Sequence, residues 1–166
     1  TRIIPVATET PAAIFMLGGY VLAGPRLAGI TWGAEDLSAA VGATGYKEEG
    51  NWTAPYQLAR SLCLFAASAA EVAPIDTLHA DFRDEAGLAE AARKARRDGF
   101  VGMLAIHPAQ VPIINAAFTP SPDEIAYAEA VVAVFAANPE AGVASLDGKM
   151  LDRPHLVQAE KILARR

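Results

Sequence analysis

Two carboxylates stand where short apolar runs stop. In Ile3-Ile4-Pro5-Val6-Ala7-Thr8-Glu9-Thr10-Pro11 a strand-forming run ends on Glu9, and Pro11 opens a helical pattern. A second run, Leu27–Trp32, passes through Gly33-Ala34-Glu35 to Asp36. Neighbouring strands lie about 4.8 Å apart, so carboxylates at matching strand ends can share one cation. Mg²⁺ suits such a pair: it accepts one or two protein carboxylates, keeps waters, and leaves positions for substrate oxygens. The glycine turn into a helix also leaves the backbone N–H groups of Gly33, Ala34, Glu35 and Asp36 open to a small carboxylate. Each feature has a plainer alternative. Asp36 can cap its helix, Glu9 can be a solvated strand end, and the local sequence leaves both readings open.

Other reactive residues carry weaker signals. Cys63 lies in the apolar string Leu62-Cys63-Leu64-Phe65 without a charged activator, so a buried thiol is expected rather than a nucleophile. His107 closes an apolar run just before Pro108, and no second histidine stands at zinc-ligand spacing. No G-x-S-x-G elbow, P-loop or G-x-G-x-x-G fingerprint is present. The string Asp147-Gly148-Lys149-Met150-Leu151-Asp152-Arg153-Pro154-His155 begins on a tight-turn pair. Locally, Asp152 is placed to cap a final helix with Pro154 in its first turn.

These residues need a scaffold that presents strand ends side by side. The periodicity predicts strands at Ile3–Thr8, Leu27–Trp32, Ile75–Ala80 and Val101–Ile106. Helices are expected over Pro11–Ala23, up to Val41, over Ala54–Val72, Asp84–Arg97 and Asp123–Ala137, with a short one after Pro108. Gly42–Asn51 reads as a glycine-rich loop, Val143–Met150 as hairpin-like, and a last helix starts at Arg153. Strands alternating with helices indicate parallel βα units. Polar residues at several strand ends favour a (βα)8 barrel over an open sheet, and four units are half of eight. The chain opens on Thr1 and runs directly into a strand, from which sequence upstream is expected.

The 166 residues suffice for one sizeable core. With 52% hydrophobic and 20% charged residues the chain is globular rather than disordered. A net charge of −5 argues against a nucleic-acid surface, and the basic run Arg93-Lys94-Ala95-Arg96-Arg97 reads as a solvated helix face. The longest apolar stretch, Leu62–Ala70, is too short to cross a membrane. One unpaired cysteine fits a reducing, cytoplasmic setting.

The chain resembles the C-terminal half of the citrate lyase β-subunit-like proteins of the HpcH/HpaI aldolase group. The resemblance rests on Thr8-Glu9-Thr10, Gly33-Ala34-Glu35-Asp36-Leu37, Ala73-Pro74-Ile75-Asp76, Gly99-Phe100-Val101-Gly102, Ile106-His107-Pro108-Ala109-Gln110 and Asp147–Pro154, in that order. It implies a TIM barrel of which residues 1–139 are half, and a hairpin and helix extension at 140–166. It implies a Mg²⁺-dependent lyase acting on 3-hydroxyacyl-CoA thioesters such as citryl-, malyl- or citramalyl-CoA. The products would be a 2-oxo acid and an acyl-CoA, and the assembly a trimer or hexamer. Glu9 and Asp36 fall on the family's metal carboxylates, Gly33–Asp36 on its 2-oxo acid grip, and Asp152 on an acid/base that a neighbouring subunit supplies. Two departures stand out. Met103 follows Gly102 where the family often has lysine, and the family's enolate-stabilising arginine lies upstream of Thr1. The competing readings are a class II aldolase acting on free hydroxy-diacids and a catalytically silent half barrel.

Overall fold

Proline limits the ladders of this sheet, because a residue without N–H cannot donate to a neighbouring strand. The computed structural model describes residues 1–140 and 142–165. In chain order its elements are α1 (Pro11–Met16), a 3₁₀ turn (Leu17–Leu22), β1 (Gly29–Ile30), α2 (Glu35–Val41), β2 (Lys47–Glu48), β3 (Asn51–Trp52), α3 (Ala54–Ala69) and β4 (Ala73–Asp76). Then follow α4 (Glu85–Asp98), β5 (Gly102–Met103), α5 (Gln110–Phe118), α6 (Pro122–Ala137), β6 (Val143–Leu146), β7 (Lys149–Asp152) and α7 (Arg153–Leu163). The chain divides into two compact units, Thr1–Phe118 and the remainder from Thr119.

In the first unit the sheet runs β1-β4-β5, all parallel. The segment before α1 joins the free edge of β1 by parallel bridges, Ile3 to Leu27 and Val6 to Thr31. The four extended segments are therefore adjacent in chain order, as expected. Their lengths are not. Ile3–Thr8 is interrupted at Pro5, whose C=O accepts from Thr31 N–H at 3.0 Å but which has no N–H to return. In β4 the C=O of Pro74 accepts from Val101 N–H at 2.9 Å, again with nothing returned. Strand β4 falls earlier and shorter than Ile75–Ala80, and β5 keeps only Gly102–Met103 of Val101–Ile106. Gly29 lets β1 lie close to β4, since a Cβ there would meet the C=O of Ala73 at 2.7 Å.

Three further corrections concern helices and loops. The expected helix Pro11–Ala23 tightens to 3₁₀ at Leu17, where Gly18-Gly19 follows. The expected loop Gly42–Asn51 instead holds the antiparallel β2–β3 pair, turned by Glu49 and Gly50 at positive φ. Helix α3 ends at Ala69 because Glu71 turns to φ 54°. The basic run behaves as read. Arg93 and Lys94 pair with Glu90, Arg97 with Asp98, and only Ala95 is buried. No described helix is long and apolar enough to cross a membrane.

The core between sheet and helices contains Ile30, Trp32, Tyr56, Cys63, Leu88 and Phe100. Burial, and then the nearby Asp76, push the Cys63 thiol up to about 12, which makes it a packing residue at neutral pH. Arg60 interrupts the buried stripe Tyr56, Ala59, Cys63, Ala67 of α3. Its Nη2 lies 2.7 Å from Asp76 Oδ2 and its Nη1 2.8 Å from Asp98 Oδ2. Trp32 Nε1 donates to the same Asp76 at 2.6 Å, and the guanidinium sits 4.6 Å from the centre of the Phe100 ring. Burial opposes the Arg60 charge, yet the two carboxylates outweigh it and hold the guanidinium above its ordinary pKa.

The second unit has its own hydrophobic cluster. Ala128, Val131 and Phe135 of α6 pack with Leu151 and Ala159. Its hairpin turns at Asp147-Gly148, both at positive φ, as the Asp-Gly signal predicts.

Removing one partner of the Arg60–Asp76 pair strands a buried charge. Asp76→Ala is expected to cost about 3–5 kcal/mol of folding stability, read as a lowered urea midpoint.

Candidate functional site

The ends of the first two extended segments are clamped by a side chain. Thr8 Oγ1 accepts from Gly33 N–H at 3.0 Å and lies 3.0 Å from Gly33 C=O, to which it donates. Thr8 is fully buried, whereas the next residue, Glu9, is exposed. Asp36, three residues beyond Gly33, is exposed as well. Among the described residues neither carboxylate has a hydrogen-bond or ion-pair partner.

Helix α2 resolves one alternative left open by the sequence. Its N-cap is Ala34 and no side chain caps it, so Asp36 stands inside the first turn and is not the cap. The N–H of Gly33 is taken by Thr8, which removes it from the expected amide grip. Ala34, Glu35 and Asp36 remain at a helix start, where amides have no intrahelical carbonyl. The Glu35 side chain is held by Tyr46, just before β2, whose hydroxyl donates to Oε1 at 3.4 Å. Burial and the Glu35 charge both raise the Tyr46 hydroxyl pKa.

No group of three or more His, Cys, Asp or Glu residues suited to a metal exists among the described residues. An ion at Glu9 and Asp36 would draw its remaining ligands from water and substrate. That is the habit of Mg²⁺ and not of a structural zinc.

The next strand ends are tied by Gln110, which is fully buried. Its Oε1 accepts from Ile106 N–H at 2.8 Å and from His107 N–H at 3.3 Å, and its Nε2 donates to His79 C=O at 2.9 Å. His107 itself is exposed, accepts from Ala109 N–H, and stacks on Phe82 with ring centres 4.6 Å apart. His79 lies 3.1 Å from Asp84, the N-cap of α4, whose carboxyl is held below its usual range by Gly87 N–H and then by His79. Met103 is half-buried at the end of β5.

In the second unit Asp152 is the N-cap of α7, with Pro154 in the first turn. His155 Nδ1 lies 2.5 Å from Asp152 Oδ1 and accepts from Asp152 N–H at 3.1 Å. Sequence reasoning missed this partner, and it missed Arg60 and Trp32. A lone arginine on the apolar stripe of α3 was the available signal, since a buried charge requires a partner.

The sequence pattern of the HpcH/HpaI aldolase/citrate lyase family matches residues 2–108. A citrate lyase subunit beta-like protein of Mycobacterium tuberculosis is 38% identical over 138 residues, covering 82% of this chain and 50% of that protein. A (3S)-malyl-CoA thioesterase of Cereibacter sphaeroides is 40% identical over 151 residues, covering 87% and 50%. The crystal structure of the CitE protein of M. tuberculosis with magnesium, acetoacetate and coenzyme A superposes with a TM-score of 0.80 at 35% identity. It covers 94% of this chain and 58% of that one. The chain thus spans about half the length of the relatives it matches.

Gln110→Leu would leave two N–H groups and one C=O without their buried partner. A loss of about 1–3 kcal/mol for each group that water cannot reach is expected, together with faster hydrogen exchange at Ile106 and His107.

Proposed function

The chain belongs to the HpcH/HpaI aldolase/citrate lyase family, and from that premise we propose that it forms half of a Mg²⁺-dependent TIM-barrel lyase. The reaction is cleavage or formation of a carbon–carbon bond in a 3-hydroxyacyl-CoA thioester of the malyl-, citramalyl- or citryl-CoA kind. Residues 1–139 supply the half barrel, and residues 140–166 the hairpin and helix that pack on α6. One observation carries the reading: Glu9 and Asp36, exposed and without a partner among the described residues, follow strand ends that Thr8 and Gly33 clamp together.

Glu9 and Asp36 are the metal ligands in this proposal. Magnesium bound there would supply a Lewis acid for the 3-hydroxyl oxygen as it loses its proton on the way to the keto group. The amides of Ala34 to Asp36 hold the carboxylate of the 2-oxo acid, with Gly33 anchoring the turn. Asp152 carries the proton exchanged with the thioester enolate, in the site of a neighbouring copy within a trimer or hexamer. The relative named as a thioesterase keeps the same class of thioester but releases free coenzyme A. Product analysis separates the two outcomes, because lysis gives an acyl-CoA and a 2-oxo acid without free thiol. A class II aldolase acting on free hydroxy-diacids would need no thioester at all.

The metal assignment is checked by calorimetric Mg²⁺ titration. Glu9→Gln should weaken binding by at least tenfold, about 1.4 kcal/mol, with no comparable change in the urea midpoint. Equal affinity in the variant would remove Glu9 from the site.

The role of Asp152 is checked by turnover and by mixing. Asp152→Asn keeps helix capping, since Asn caps about as well as Asp, and should lower turnover roughly 10²–10⁴-fold. Refolded together, inactive Asp152→Asn and inactive Glu9→Gln chains should regain activity through sites that carry neither change. Full activity in Asp152→Asn alone would return the residue to capping.

A further inference from the structure

Helix α7 begins with an unusual pair. In a capping box the third helical residue is ordinarily Glu or Gln, reaching back to the N-cap amide. Here that position is His155, whose Nδ1 takes the Asp152 N–H at 3.1 Å. The same nitrogen lies 2.5 Å from Asp152 Oδ1, within hydrogen-bond reach of the carboxylate. Capping needs no imidazole. The side chains are 42% and 45% exposed, so both a substrate and solvent can reach the pair.

We infer that Asp152 and His155 act as one proton-carrying pair, with His155 refilling Asp152 from solvent. The inference rests on the reading of Asp152 as proton carrier given above. In the forward step the enolate carbon takes the Asp152 proton: a C–H bond forms, the O–H bond breaks, and a carboxylate remains. Imidazolium Nδ1–H then passes its proton to Oδ1 and becomes neutral. Water returns one proton to the ring, and the 3-hydroxyl proton lost as the keto group forms goes to solvent, so one proton enters the acyl-CoA, one leaves the 2-oxo acid, and none is taken up overall. The two contacts on Nδ1 serve alternate proton states. With the proton on nitrogen the ring is held by the carboxylate, and with the nitrogen bare it is held by the Asp152 amide. The ring keeps its place throughout the cycle, which a lone hydrogen bond to the carboxylate would not ensure.

The test is His155→Gln in the whole protein with a thioester substrate. Glutamine keeps the capping role, so the urea midpoint should not move. Turnover should fall on the order of 10–100-fold with KM unchanged, and added imidazole should restore it in proportion to its concentration. Unchanged turnover, or a loss that imidazole does not repair, overturns the pair while leaving Asp152 in its role. Full activity in Asp152→Asn, or no turnover in the wild type, overturns the underlying reading and the pair together. A readout independent of turnover is the ¹⁵N spectrum of the histidine rings. Asp152→Ala should shift the His155 nitrogens and leave those of His79 and His107 in place, and an unmoved His155 signal overturns the pair.

Discussion

Arg60 brings a full positive charge to the apolar side of α3, and its neutralisation by Asp76 decides how the strands stand relative to one another. Taking both ions out of water is expensive and is repaid only by close geometry and further hydrogen bonds. The geometry is close: Nε and Nη2 reach Asp76 at 3.0 and 2.7 Å, and Nη1 reaches Asp98 at 2.8 Å. Asp76 has oxygen capacity left, which Trp32 Nε1 and Thr77 N–H take up. One carboxylate at the end of β4 therefore fixes a helix on one side and the neighbouring segment on the other. Trp32 directly precedes Gly33, so the height of the turn carrying Asp36 depends on that buried pair.

Side chains do this work because backbone ladders cannot. Each pairing in the parallel sheet covers only two residues, and Pro5 and Pro74 withhold donors in two of its segments. Such a sheet is weakly specified in register. Thr8 on Gly33, Trp32 on Asp76, and Gln110 across His79, Ile106 and His107 restore the register where the strands end. In a parallel βα architecture that is the edge where chemistry is built. These three links hold the backbone and leave Glu9, Asp36 and His107 projecting from it.

Local rules made much of this visible in the sequence. The βα alternation, the Asp-Gly turn and the cap at Asp152 are short-range features, and they appear where the pattern puts them. Strand length was misjudged because apolar periodicity ignores the donor that proline lacks. The β2–β3 pair escaped notice because two-residue strands leave no period to detect, although Tyr46 and Trp52 flank a turn and stack at 5.8 Å. The Arg60–Asp76–Trp32 network joins positions 16 and 44 residues apart, beyond any local rule. Glu9 and Asp36 are proposed from chemistry and strand position together, while the loss of the Gly33 amide to Thr8 requires coordinates.

The charges of the first unit divide by whether the fold satisfies them. Asp76 and Asp98 have Arg60, Asp84 has His79 and the Gly87 amide, and Glu35 has the Tyr46 hydroxyl. Among the described residues Glu9 and Asp36 have no partner, and the Thr8–Gly33 clamp fixes the backbone next to Glu9 and three residues before Asp36. Asp36 stands in the first turn of α2, where a negative charge is favoured, whereas Glu9 is an exposed acid for which the fold shows no such use. On the proposed reading a divalent cation would be held by both carboxylates, and the Thr8–Gly33 clamp would limit the reorganisation its binding needs. Rigid backing with an unsatisfied front is what electrostatic preorganisation requires. On the proposed reading the strand ends on Glu9 because the fold supplies the geometry and leaves the charge to be completed by metal and substrate.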